Sequence, residues 1–153
     1  MRTICLFICC LVLCTAAQSQ ETAVPSPLAI VDDIQFDLKD IYLSPKGDTA
    51  TVELFMISIQ KNPREFKLNT FASGVTSSDG TLYFYDSMEM GKVRLHIADR
   101  QNYLNYLMQQ DLPVLLRIKT AGWSKNWGKP QHVKLTFEDS SEEGKFLQVD
   151  LNF

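Results

Sequence analysis

Two tryptophans, Trp123 and Trp127, stand four residues apart in the stretch Trp-Ser-Lys-Asn-Trp-Gly. An indole in a loop brings a large apolar face with one polar edge. It can stack on a sugar ring or anchor a protein partner. Trp123 follows Ala121-Gly122 and can fold back over the end of a core. Trp127 lies deeper among polar neighbours, so it is expected to be the more exposed and the cheaper to remove. Trp123 and Trp127 are the candidate ligand-binding residues. Tyr83, Tyr85, Tyr103 and Tyr106 form a second aromatic group, whose spacing suits packing across a sheet.

Other side chains offer less chemistry. A Ser-His-Asp site needs its three groups brought together by the fold, and only His96 and His132 are present. No Gly-x-Ser-x-Gly elbow occurs. His96 alternates with Arg94 and Lys92, which reads as a solvated polar face. Zinc sites need Cys or His clusters, and there are none. Asp32, Asp33 and Asp37, and again Asp139, Glu142 and Glu143, supply oxygen atoms without the alternating spacing of a calcium loop. A glycosidase pair would also need a concave cleft, which a small domain without long insertions seldom builds. The expectation is no catalytic residue, no metal and no cofactor. With 18 acidic against 15 basic residues the net charge is −3, so nucleic acid is not an expected partner.

Residues 1–19 read as a secretory signal peptide. Arg2 supplies the positive start and residues 4–13 are an unbroken apolar run. Small residues at Thr15 and Ala17 mark cleavage after Ala17, and Ala17 with Ser19 offers a second site. The apolar run of about ten residues is short of the roughly 20 that span a bilayer. A bacterial lipoprotein signal puts a small residue before its lipid-bearing cysteine. Leu13 is bulky, so ordinary cleavage is preferred over a lipid anchor on Cys14. Cys5, Cys9, Cys10 and Cys14 all lie in this segment, which leaves the mature chain without disulfide, thiolate or cysteine ligand. An exported domain without disulfides rests on its core alone; about 135 residues bury roughly two thirds of their unfolded surface. No Asn-x-Ser/Thr sequon occurs. Both absences favour a bacterial envelope, secreted or periplasmic, with no transmembrane segment in the mature chain.

The elements that must position the tryptophans read as strands. Residues 20–30 form a flexible lead-in with two prolines, and 31–153 a single domain. From Ile34 the hydrophobic period is two. Ile34, Phe36 and Leu38 alternate with polar residues; Ile41 and Leu43 are out of phase, which predicts a bulge near Lys39-Asp40. Ser44-Pro45-Lys46-Gly47-Asp48 is a turn. Residues 49–60 carry apolar residues on both faces, as does a central strand or one that ends against another layer. Weaker strands are expected over 65–68 and 73–76. Asp79-Gly80 marks a hairpin, and strands follow over 81–85 and 92–97. Residues 99–110 have Tyr103, Leu104, Leu107 and Met108 at helical spacing; one or two helical turns or an ordered crossover both fit. Strands are expected over 112–119, around Val133, Leu135 and Phe137, and from Leu147 to the last residue, with loops over 121–131 and 139–144. Seven to nine short strands at roughly ten-residue spacing favour an all-β, antiparallel two-sheet sandwich, with a closed barrel as the alternative.

The order of these features resembles a known family. A strand over 34–43 leads through Lys46-Gly47-Asp48 to a long apolar strand. Then come a Ser78-Asp79-Gly80-Thr81-Leu82-Tyr83 hairpin and the Leu-Pro-Val-Leu-Leu-Arg-Ile strand of 112–118. This is similar to immunoglobulin-like, telokin-like sandwich domains of small secreted bacterial proteins of unknown function. The resemblance implies a fold and no catalytic residues. An Asn that the family often carries at the end of the second strand is matched only by Asn62, past Ile59. The functional expectation is a secreted or periplasmic, non-catalytic binding module whose partner is another envelope protein or a glycan. The alternatives are a carbohydrate-binding module using Trp123 and Trp127, or an accessory subunit of an envelope enzyme.

Overall fold

Strict alternation of apolar and polar residues writes the first long hairpin. Ile34 and Phe36 are buried, and Ile41 and Leu43, further along the same strand, pack against the same core. They can do so because the register shifts between Leu38 and Asp40, where the expected bulge lies. The computed structural model describes residues 27–153. The segment expected to be a signal peptide, with the four cysteines, and the first part of the expected lead-in lie outside the described residues.

The described chain is all-β. Its strands are β1 (Ala29–Val31), β2 (Ile34–Leu43), β3 (Thr49–Ser58), β4 (Arg64–Asn69), β5 (Gly74–Thr76) and β6 (Leu82–Tyr83). They continue with β7 (Ser87–Met90), β8 (Val93–His96), β9 (Tyr103–Met108), β10 (Val114–Ala121), β11 (His132–Glu138) and β12 (Phe146–Asn152). One sheet has the order β1-β2-β3-β10-β7-β8. The other has the order β6-β5-β11-β4-β9, with β12 on the far side of β11. Every pairing between these strands is antiparallel. The two sheets pack as a sandwich. Phe137 of β11 bridges them, 6.0 Å from the ring of Phe36 in β2 and 5.3 Å from that of Phe66 in β4. Among the described residues no helix is long and apolar enough to cross a membrane.

Twelve strands replace the seven to nine expected, for three physical reasons. Residues 103–108 form β9, not a helix. Leu104 and Met108 are buried while Leu107 is 54% exposed, and a separation of four fits a period of two as well as a helical turn. The only helical turn nearby is a 3-10 turn at Ile97–Asp99. β7 has little signal in the sequence because Ser-Met-Glu-Met has weak strand propensity, although Met88 and Met90 are fully buried. β1 begins at Ala29, inside the expected lead-in, and adds an edge to β2 through Ala29 opposite Phe36.

Candidate functional site

The tryptophan loop begins where β10 ends. Gly122, at φ 72°, reverses the chain in a left-handed conformation open to glycine. Trp123 N–H then donates to the Asp48 carbonyl at 3.0 Å, tying the loop to the β2–β3 turn. Gly47 in that turn approaches so closely that a Cβ there would lie 2.9 Å from Lys125 Cβ. Residues Lys125–Trp127 form one 3-10 turn whose start is capped by Ser124 Oγ, accepting from Asn126 N–H. The turn brings Trp127 back onto Trp123.

Their rings meet edge to face, 5.4 Å apart at 87°. Trp123 is 3% exposed, and its indole N–H donates to the Gly128 carbonyl at 2.9 Å. Trp127 is half-buried and packs against the core cluster from outside. Trp127 is therefore the more exposed of the two, as expected, yet it is not a free surface side chain. Tyr83 of β6 completes the group, 4.9 Å from Trp127 and 5.7 Å from Trp123. Sequence spacing pairs the two tryptophans and misses Tyr83; the only signal was its place just after the Asp79-Gly80 hairpin. The other tyrosines go elsewhere. Tyr85 is buried, Tyr103 stacks on Phe146 at 5.9 Å, and Tyr106 covers Gly91. Chemically, the loop holds a partly exposed aromatic ring at a fixed angle, flanked by Lys125, Asn126 and Lys129, all exposed.

The opposite end of the sandwich is polar. Three chain reversals converge there: Asp32-Asp33 between β1 and β2, residues 59–63 between β3 and β4, and residues 139–145 between β11 and β12. Arg64, only 5% exposed, bonds the Asp32 carbonyl and its carboxylate, the latter at 2.7 Å. Ser140 donates to the same carboxylate from its backbone N–H at 3.0 Å and its hydroxyl at 2.7 Å. Burial works against ionisation of Asp32, but the bonds from Ser140 and Arg64 outweigh it and hold the carboxyl below its ordinary range. Above this clasp lies a cavity of about 370 Å³ lined by Gln60, Pro63, Arg64, Glu65, Glu138, Asp139, Ser140 and Glu143. Glu138 is held below its ordinary range by the Gly144 N–H and Lys67; Asp139 is held low by Ser141, with Lys145 adding to it.

Several other ionisable residues pair across strands. On the outer face of the first sheet, Lys39, Glu53, Arg117, Glu89 and Arg94 alternate in charge across five strands. Glu53 accepts from Lys39 at 2.8 Å and from Arg117 at 2.6 Å. Those bonds outweigh the cost of burial and keep its carboxyl below the ordinary range. His96 is exposed, as its polar strand face predicts. His132 sits between Thr76 Oγ1, 2.8 Å from Nδ1, and Asp150 Oδ1, 3.2 Å from Nε2. This row crosses β5, β11 and β12 and ties the short β5 and the terminal β12 to β11. Among the described residues no group of three or more His, Cys, Asp or Glu is placed to hold a metal ion.

No family model, no curated protein and no solved structure matches the chain.

Proposed function

We propose that the chain is an exported, non-catalytic binding module whose recognition residue is Trp127. One observation carries this reading: Trp127 is braced edge to face by the buried Trp123 and at a tilt by Tyr83, yet keeps part of its ring open to solvent at the end of a capped turn. A ring fixed in advance loses little side-chain freedom on binding. The ligand class that fits is a glycan. An apolar sugar face stacks on Trp127, and Lys125, Asn126 and Lys129 supply hydrogen-bond donors for its hydroxyls. Trp123 then has the role of support. The alternative occupant of the same ring is another envelope protein. The two packed antiparallel sheets, and the turn order noted in the sequence, support reading the domain as immunoglobulin-like and telokin-like.

Fluorescence titration against a panel of soluble glycans tests this. The expected result is saturable quenching that Trp127→Ala abolishes and Lys119→Ala, on the sheet face, leaves intact. Absence of quenching by every glycan removes the sugar reading. Retention of a glycan-induced change in Trp127→Ala removes Trp127 as the contact.

A further inference from the structure

One long side of the sandwich ends in an open strand edge, that of β12. In the β11–β12 ladder His132 lies opposite Asn152 and Glu138 opposite Phe146, with no break in register between them. Asp139 N–H donates to the Lys145 carbonyl at 2.8 Å, and Phe153 N–H to the Gln131 carbonyl at 3.0 Å, just beyond the two ends. Hydrogen-bonded pairs recur at every second residue of an antiparallel ladder. Leu147, Val149 and Leu151 are therefore the residues that bond to β11. The N–H and C=O groups of Phe146, Gln148, Asp150 and Asn152 point the other way, and among the described residues they have no partner. β1 of the other sheet lies beside β12 but pairs only with β2.

Folded proteins blunt free edges with Pro, Lys, bulges or very short strands. The other edges here are blunted. β1 has three residues and β6 two, and β8 has four with Arg94 among them. At β9 the β7–β8 turn closes in, with the Tyr106 ring against Gly91. β12 has seven residues, without Pro, Gly, Lys, Arg or a bulge. A second observation points the same way: on β1 beside it, Ile30 is 55% exposed, and the preceding Leu28 is exposed as well. Apolar surface thus runs along the same edge. A second copy of the chain fits it in one register. With a two-fold axis through Val149, β12 pairs over its full length with β12 of the other copy. Gln148 then lies opposite the partner's Asp150, and Phe146 opposite the partner's Asn152, so all four open residues find bonds. On the inner side Leu147 comes beside the partner's Leu151. Asp150 is the only charge on the strand. An axis through Asp150 would oppose the two carboxylates, and one through Gln148 would leave Asn152 unpaired; the full-length register avoids both.

We propose that two copies of the chain pair antiparallel through β12, joining their second sheets into one continuous sheet. This pairing does not rest on the glycan reading. Sedimentation equilibrium of the purified protein over a concentration series tests it. The expected result is a monomer–dimer equilibrium with a Kd below about 1 mM. Gln148→Pro removes an N–H that serves only the open edge, a position where strands tolerate Pro. It takes one bond from each copy and should weaken the dimer about tenfold or more. Gln148→Glu sets like charges opposite each other across the axis and should also weaken the dimer, whereas Gln148→Lys faces the partner's Asp150 and should tighten it. Gln148 is exposed, so both charge variants should melt as the parent does, and they decide the question even where the proline variant does not fold. Asn105→Pro, whose N–H opens on the β9 edge in the same way, should leave the dimer unchanged. The proposal is overturned by a monomer at every concentration up to about 1 mM, by Gln148→Lys weakening the dimer as Gln148→Glu does, or by Asn105→Pro dissociating a dimer that Gln148→Pro leaves intact.

Discussion

Truncating the two tryptophans separately and together separates support from contact. Trp123→Ala removes a ring that is 3% exposed, and truncating a buried large aromatic costs about 3–5 kcal/mol. The lost bond to Gly128 adds little, because Gly128 is exposed and its carbonyl can turn to water. Trp127→Ala removes a half-buried ring and two ring contacts, at 5.4 Å to Trp123 and 4.9 Å to Tyr83. Aromatic pairs contribute about 0.5–1.5 kcal/mol each, so the cost is about 2 kcal/mol. That is larger than the small loss that loop position alone suggests. Because the two rings touch, the changes should not add; the coupling expected from their one shared contact is about 1 kcal/mol. Urea denaturation followed by circular dichroism reads all four corners of the cycle. With a slope of about 2 kcal/mol/M, Trp123→Ala moves the midpoint by about 2 M and Trp127→Ala by about 1 M. Equal losses near 4 kcal/mol from both would make the pair plain core and refute Trp127 as a presented ring. Strict additivity would refute the bracing contact itself.

Other perturbations test the rest of the fold. Asp32→Asn leaves the buried Arg64 guanidinium without its anion and should cost about 3 kcal/mol by thermal or urea melts. Because Asp32 is held below its ordinary pKa in the folded chain, its stabilisation is complete above the unfolded value of about 3.9 and is lost as pH falls through the folded value. The parent should therefore destabilise below about pH 4, and Asp32→Asn should do so less steeply; identical acid profiles would show that the clasp contributes nothing. Along the charge row, Glu53→Gln should cost about 2 kcal/mol at its buried centre, whereas Arg94→Ala at the exposed end should cost under about 0.5 kcal/mol. Gly91→Ala should cost more than Gly80→Ala. Both have positive φ, but a Cβ at Gly91 would sit 2.7 Å from the Tyr106 ring, and at Gly80 it meets nothing within 4 Å.

Local signals carried the fold a long way. The phase slip after Leu38 is a bulge because side chains must stay on one face, and nothing else returns Ile41 and Leu43 to the core. Apolar residues on both sides of β3 do mark a central strand, between β2 and β10. Where periodicity was degenerate, tertiary packing decided: β9 buries Leu104 and Met108 against the other sheet, which a helix of the same residues could not do while pairing with β4. The sites were less legible. The tryptophan spacing is visible in the chain, but Tyr83 joins the group only through sheet order. The clasp of Asp32, Arg64 and Ser140 draws on three turns widely separated in sequence. No spacing rule relates them, and Arg64 reads as an ordinary loop charge until Asp32 is placed beside it.

Satisfied and unsatisfied groups are distributed unevenly over the described residues. On the outer face of the first sheet, each charge from Lys39 to Arg94 has an opposite neighbour within 3.5 Å. Such a row is complete in itself, and a partner docking there would have to replace bonds already made. At the ends the accounting differs. Trp127 presents an aromatic ring with part of its apolar area still open, while Glu65 and Glu143 are exposed and have no ion-pair partner among the described residues. The two ends also differ in chemistry, an aromatic face at one and acidic side chains at the other. β2 runs ten residues from one end to the other, about 33 Å at the usual rise per residue, so an occupant of one end does not reach the other.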